Sequence, residues 1–208
     1  MNKQKSNEIL EILKTIIINP KPELEFSNTF ELVVSVVLSA QTTDKRVNMV
    51  TKELFKRYND PSSLANADYD IVVELLSPLG LAKSKAKKII SLAKTIHEEY
   101  NDIVPGDFNS LIKLDGVGRK TANVVLALGF NIPSMPVDTH LYRMAIRLGY
   151  IRREDDVFMA EETYKKYIPK DEWVLAHHLL LLFGRYYCKA KKPLCEGCRL
   201  KNYCKYKG

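Results

Sequence analysis

A chain of 208 residues with 46% hydrophobic side chains is long enough to bury a substantial core, as one domain or as two small lobes. Its longest apolar run, Leu175 to Phe183, is broken by His177 and His178 and stops short of the roughly 18 residues a membrane helix needs, which predicts a soluble protein. The net charge of +7 is concentrated: Arg185 to Gly208 carries eight basic residues and one acid, and the remainder holds 24 of each.

In chain order, Lys3 and Lys5 come first, but Glu8 and Glu11 interrupt the apolar residues that follow, and no small-residue cleavage site appears. No export signal is read, and a cytoplasmic location is expected. Ile9, Leu13, Ile16 and Ile17 share one helical face, and Asn19, Pro20 and Pro22 stop that helix. Asn28, with Glu31 three places on, resembles a capping arrangement that opens Glu31 to Ala40. The Val-rich run there also fits a buried strand, but the helical periodicity of Lys45 to Arg57, Tyr69 to Ser77 and Lys83 to Tyr100 favours a helix. In the last of these, Ala86, Ile89, Ile90, Ala93 and Ile96 line one face while Lys85, Lys88 and Lys94 lie mostly elsewhere, predicting a packed helix with a basic back. Further helices are expected over Phe108 to Leu114, Arg119 to Phe130, Thr139 to Leu148, Val157 to Tyr167 and Glu172 to Tyr187. No alternating strand pattern is found, so the fold class is all-α.

Between two of these helices, Leu114-Asp115-Gly116-Val117-Gly118-Arg119-Lys120-Thr121-Ala122 sets two glycines around one apolar residue, a helix-hairpin-helix signature. Gly116 and Gly118 permit backbone angles closed to other residues, and Val117 can anchor the loop in the core. A helix starting after Gly118 directs free amides and its positive dipole end outward, where a phosphate oxygen can bind. A lone Gly-x-Gly is more often a plain helix connection; here Ala122, Val125, Leu126 and Gly129 extend the match along a packed face. An arbitrary lysine is usually a solvated charge. Lys120, however, falls in the first turn of a helix, where the dipole disfavours an ammonium, and a neutral amine is a nucleophile.

Asp138 follows Pro136-Val137 and precedes Thr139-His140-Leu141, the position of a helix N-cap. It can also serve as a carboxylate that stabilises positive charge and manages a proton. The four cysteines, Cys188, Cys195, Cys198 and Cys204, follow the spacing C-x6-C-x2-C-x5-C. Disulfides fit poorly with a non-secreted, core-rich chain, which leaves a four-thiolate zinc site and an iron-sulfur cluster as rivals. Lys189, Lys191 and Lys192 lie between the first two cysteines, with Arg199, Lys201, Lys205 and Lys207 nearby. Charge alone does not choose among a phosphate backbone, an anionic membrane and an acidic partner, but a metal-tied loop can present these cations rigidly to phosphates.

Together, Leu38-Ser39-Ala40-Gln41-Thr42-Thr43-Asp44, the hairpin through Val125, Val137-Asp138-Thr139-His140 and the cysteine spacing resemble the endonuclease III family, helix-hairpin-helix DNA glycosylases, nearly end to end. The resemblance implies two helical lobes with a DNA-binding cleft between them. One is a six-helix lobe over 21–133 with the hairpin near 108–130; the other joins 1–20 to 134–208 and ends in a cluster loop over 188–204. It implies a 4Fe-4S cluster on the four cysteines, Lys120 as nucleophile and Asp138 as catalytic carboxylate. The activity implied is a DNA N-glycosylase and AP lyase, acting as a monomer on double-stranded DNA with damaged pyrimidines or abasic sites. Oxidised or ring-saturated pyrimidines would be removed and the strand cut 3′ to the site by β-elimination. Gly116, Val117, Gly118 and Arg119 would meet the DNA backbone, while Gln41 and Leu81 would fill the gap left by an extruded nucleotide.

Overall fold

The computed structural model describes residues 1–206; Lys207, counted above among the tail cations, lies outside them. The described residues contain α-helices, short 3-10 turns and no strand. The chain divides into two compact units, Pro22–Ile132 and Met1–Lys21 with Pro133–Gly208.

The first unit holds α2 (Thr29–Leu38), α3 (Asp44–Arg57), α4 (Pro61–Ala65), α5 (Tyr69–Leu76), α6 (Ala82–Tyr100), α7 (Phe108–Leu111) and α8 (Arg119–Gly129). The Val-rich run is helical: Asn28 accepts the Glu31 amide at 2.9 Å, and the Glu31 carboxylate accepts the Ser27 amide at 2.6 Å. Phe30 and every residue from Leu32 to Leu38 are buried, so α2 is apolar all round because it is enclosed all round. Val33, Val37, Leu54, Leu76, Ile89, Leu92, Ile96, Val117 and Val125 belong to one core. At Gly129 an added Cβ would stand 2.9 Å from Thr29 Cγ2, so the end of α8 lies close against α2. The sequence pattern misplaces Lys85: it is 4% exposed on α6, in line with Ile89, Leu92 and Ile96, whereas Lys88 and Lys94 are exposed as expected.

The second unit holds α1 (Lys3–Ile16), α9 (Thr139–Leu148), α10 (Val157–Tyr167) and α11 (Trp173–Tyr186). Ile9, Leu10 and Leu13 of α1 share a core with Leu141, Met144, Tyr164, Leu179, Leu180 and Phe183. Two of its buried polar contacts join distant positions: Ser6 Oγ lies 2.7 Å from Tyr150 Oη, and the Tyr164 hydroxyl donates to the Leu141 carbonyl at 2.9 Å. Burial pushes the Tyr150 phenol up to about 12. The C-terminal segment is tied to α1 by Tyr203 Oη donating to Glu8 at 2.9 Å and by Arg199 donating to Thr15 Oγ1 at 2.5 Å.

Candidate active site and cysteine loop

The hairpin begins at Asp107, which caps α7 by accepting the Ser110 amide at 2.9 Å; bonds to Ser110 hold its carboxyl below the usual range. Leu111 and Leu114 are buried, and the Val117 amide donates to the Leu114 carbonyl at 3.0 Å, closing the turn. Gly116 has φ +81°, and a Cβ there would stand 2.9 Å from Val37 Cγ1, so backbone and packing both require glycine. Gly118 departs from the expectation: at φ −91° and ψ 178° its backbone suits any residue, and an added Cβ would meet nothing within 4 Å. The space above Gly118 is open, and it is here that α8 starts. No side chain caps this start and no acid stands in its first turn; the first helical bond runs from the Ala122 amide to the Gly118 carbonyl at 2.9 Å. Val117 is buried as anticipated, while Arg119 is exposed, with its guanidinium 5.3 Å over the Phe108 ring. Lys120 is exposed in the first turn of α8.

Asp138 is the N-cap of α9. Its Oδ1 accepts the His140 amide at 2.8 Å and the Leu141 amide at 2.9 Å, so the carboxylate is held at a fixed angle on a helix start. The peptide leading to it is fixed too, since Nδ1 of buried His177 lies 2.9 Å from the Pro136 carbonyl. That contact was missed in the sequence, where the histidines registered only as interruptions of an apolar run. Lys120 belongs to the Pro22–Ile132 unit and Asp138 to the other.

Gln41 and Leu81 share a property no periodicity reveals. Both are exposed and both take left-handed backbone angles, φ +56° and +53°. An L-residue with a side chain is strained there, and such strain gathers at functional sites. Leu81, 61% exposed, follows Gly80 at φ +70° and stands at the start of α6 without any side-chain cap.

All four cysteines are unpaired. Cys188 follows α11, and a turn from the Cys198 amide to the Cys195 carbonyl at 3.2 Å forms the C-x2-C hook. Buried Arg147 of α9 gathers the loop: Nη1 donates to Cys188 Sγ at 3.1 Å and to the Lys189 carbonyl at 2.8 Å, and Nη2 donates to the Ala190 carbonyl at 3.3 Å. Arg143 adds bonds to the Cys188 carbonyl at 3.0 Å and the Gly184 carbonyl at 2.6 Å, and its Nη2 lies 3.2 Å from His140 Nδ1. Burial pushes the Cys198 thiol up, and the other three cysteines push it the same way against the Leu200 amide. Among the described residues no group of three or more His, Cys, Asp or Glu is placed to hold a metal ion. Four free thiols are the donor type of a thiolate-bound group, and Arg147 places positive charge beside Cys188 Sγ. Lys189, Lys191 and Lys192 are all exposed on this loop.

A family model of the HhH-GPD superfamily of base excision DNA repair proteins matches residues 34–170. Endonuclease III of Bacillus subtilis (strain 168) is 46% identical over 88% of this chain and 84% of its own length. The chain belongs to the endonuclease III family. Two solved structures of endonuclease III, a non-covalent DNA complex and a trapped DNA covalent intermediate with an estranged adenine, each match at TM-score 0.95 and 41% identity. They cover 99% of this chain and 96% of theirs. The hairpin, Gln41, Leu81, Lys120 and Asp138 fall within the residues matched by the superfamily model, and the four cysteines lie beyond residue 170. No described helix is long and apolar enough to cross a membrane.

Proposed function

We propose that this protein is a bifunctional base-excision repair enzyme, a DNA glycosylase and AP lyase that removes oxidised or ring-saturated pyrimidines from duplex DNA, with Lys120 as nucleophile. The observation that carries this reading is the exposed Lys120 on the uncapped start of α8, beside the open face of Gly118. Backbone amides at that start suit a phosphate of the damaged strand, which would bring the sugar to the lysine. Gln41 and Leu81, exposed and strained, suit insertion into the duplex as the nucleotide leaves the stack, Gln41 toward the orphaned base and Leu81 as an apolar wedge.

In this reading neutral Nζ of Lys120 attacks C1′ of the deoxyribose. The bond from C1′ to the base breaks, and its electron pair leaves with the base, which takes up a proton. The Asp138 carboxylate stabilises positive charge on the sugar and accepts a proton from the attached nitrogen as the ring opens to an imine. Loss of a C2′ proton then breaks the C3′–O bond, nicking the strand 3′ to the site, and water hydrolyses the imine to free Lys120. Cys188, Cys195, Cys198 and Cys204 would hold the 4Fe-4S cluster of the resemblance. When bound, that group supplies a rigid cross-link of the loop, so that Lys189, Lys191 and Lys192 face phosphates at little entropic cost. Four unpaired thiols also suit a reducing, cytoplasmic setting, and the reaction needs only a monomer.

Borohydride capture tests the central step. On duplex DNA with thymine glycol or an abasic site, the wild-type protein should form a covalent adduct that mass spectrometry maps to Lys120. The Lys120→Ala variant should lose the adduct while keeping its affinity for DNA within a few fold. Undiminished cleavage by that variant would refute the assignment.

A further inference from the structure

Among the described residues Lys85 is the one lysine that the core buries, and the structure gives it an unusual position. It sits one helical turn after Leu81, and its backbone amide donates to the Leu81 carbonyl at 2.9 Å. Helical side chains lean back toward the N-terminus, and this one runs back far enough to set Nζ 3.4 Å from the Leu79 carbonyl. One residue thus holds the turn Leu79-Gly80-Leu81 at both of its ends. Leu79 itself is buried, whereas Leu81 points to solvent in the left-handed conformation.

Two physical costs attach to a lysine at this position. Burial strips water from the ammonium, which lowers its affinity for a proton, and no carboxylate offsets that loss. The positive end of the helix dipole, at the uncapped start of α6, opposes the charge as well. A buried ion without a counter-ion is commonly matched or bettered in stability by an apolar side chain of similar size. What an apolar residue could not supply is a donor aimed at the Leu79 carbonyl.

We propose that Lys85 is the positioning residue of the Leu81 wedge, its ammonium pinning Leu79-Gly80-Leu81 so that Leu81 projects rigidly from the surface before DNA arrives. The proposal rests on the reading of Leu81 as the side chain that enters the duplex. Pinning lowers the entropy lost when the wedge is inserted, so it acts on base extrusion and not on general duplex affinity.

Lys85→Met, Lys85→Gln, Leu81→Ala and the double variant Lys85→Met/Leu81→Ala test this. The measurements are single-turnover excision of thymine glycol, fluorescence of 2-aminopurine placed beside the lesion as a reporter of unstacking, affinity for undamaged duplex, and the urea midpoint. Lys85→Met should keep or raise the midpoint, bind undamaged duplex as wild type does, and lose the unstacking signal. Its excision should slow on the order of tenfold to a hundredfold, as expected when a positioned group is released. Lys85→Gln, which retains a donor, should recover part of the rate, and it carries the test if the methionine variant does not fold. The double variant should be no slower than Leu81→Ala alone. Wild-type excision and unstacking in Lys85→Met, or losses that multiply in the double variant, would overturn the role of Lys85 while leaving the wedge intact. A silent Leu81→Ala would instead remove the wedge reading, and this proposal with it.

Discussion

Asp138 carries two duties on one carboxylate, and chemistry can separate them. Its Oδ1 satisfies two amides at the start of α9, a task that asparagine performs equally well. Stabilising a developing positive charge requires the negative charge that asparagine lacks. Asp138→Asn should therefore unfold at the same urea concentration as wild type while its excision rate falls by about 10² to 10⁴. Asp138→Ala should add a loss of about 1 kcal/mol in stability, the usual cost of an emptied N-cap. Equal rates for Asp138→Asn and wild type, measured in single turnover, would leave Asp138 as a cap alone. Residue identity announced this site in the sequence because an N-cap aspartate is a local feature. His177 was not visible in the same way, since its contact with the Pro136 carbonyl joins positions 41 apart in the chain.

At the scale of elements, the two hairpin glycines look equivalent in sequence and differ in structure. Gly116→Ala must place a Cβ 2.9 Å from Val37 Cγ1 at φ +81°, so a loss of about 1–3 kcal/mol is expected. Gly118→Ala meets no atom and no forbidden angle, so stability should change by less than about 0.5 kcal/mol. Its methyl group would instead occupy the open space over the start of α8, and duplex affinity should fall. Urea unfolding and fluorescence anisotropy on the same samples check both halves. If Gly118→Ala bound duplex as tightly as wild type, that face would not be where a phosphate sits. The long helices were legible because their apolar spacing repeats over several turns. Helix α4 escaped because it spans only Pro61–Ala65, too short for a period, although the Asp60-Pro61 start was in plain view. Lys85 escaped for the opposite reason: its spacing with Ile89, Leu92 and Ile96 marks the buried stripe, and the lysine side chain argued against it. The left-handed angles of Gln41 and Leu81 have no compositional signature, because neither is a residue that prefers them.

For the whole molecule, the distribution of charge determines how binding should respond to salt. The residues before Arg185 are balanced, so the excess of cations that a polyanion would feel comes from the tail. Arg147 and Arg143 are engaged with loop carbonyls, whereas Lys189, Lys191 and Lys192 are exposed, as are Arg199, Lys201 and Lys205 further along the tail. Each lysine that neutralises a phosphate releases counterions, and the slope of log K against log salt changes by about 0.9 for each such contact with duplex DNA. Lys191→Ala with Lys192→Ala should thus flatten the slope by up to about 1.8 if both lysines reach phosphates, and weaken damaged and undamaged duplexes alike. Excision measured at saturating DNA should stay at the wild-type rate, because these side chains belong to docking and not to bond breaking. Titrations at several salt concentrations read the slope directly. An unaltered slope would mean that Lys191 and Lys192 point away from the backbone, and the electrostatic contribution would then have to come from other cations, Arg199, Lys201 and Lys205 of the tail among them.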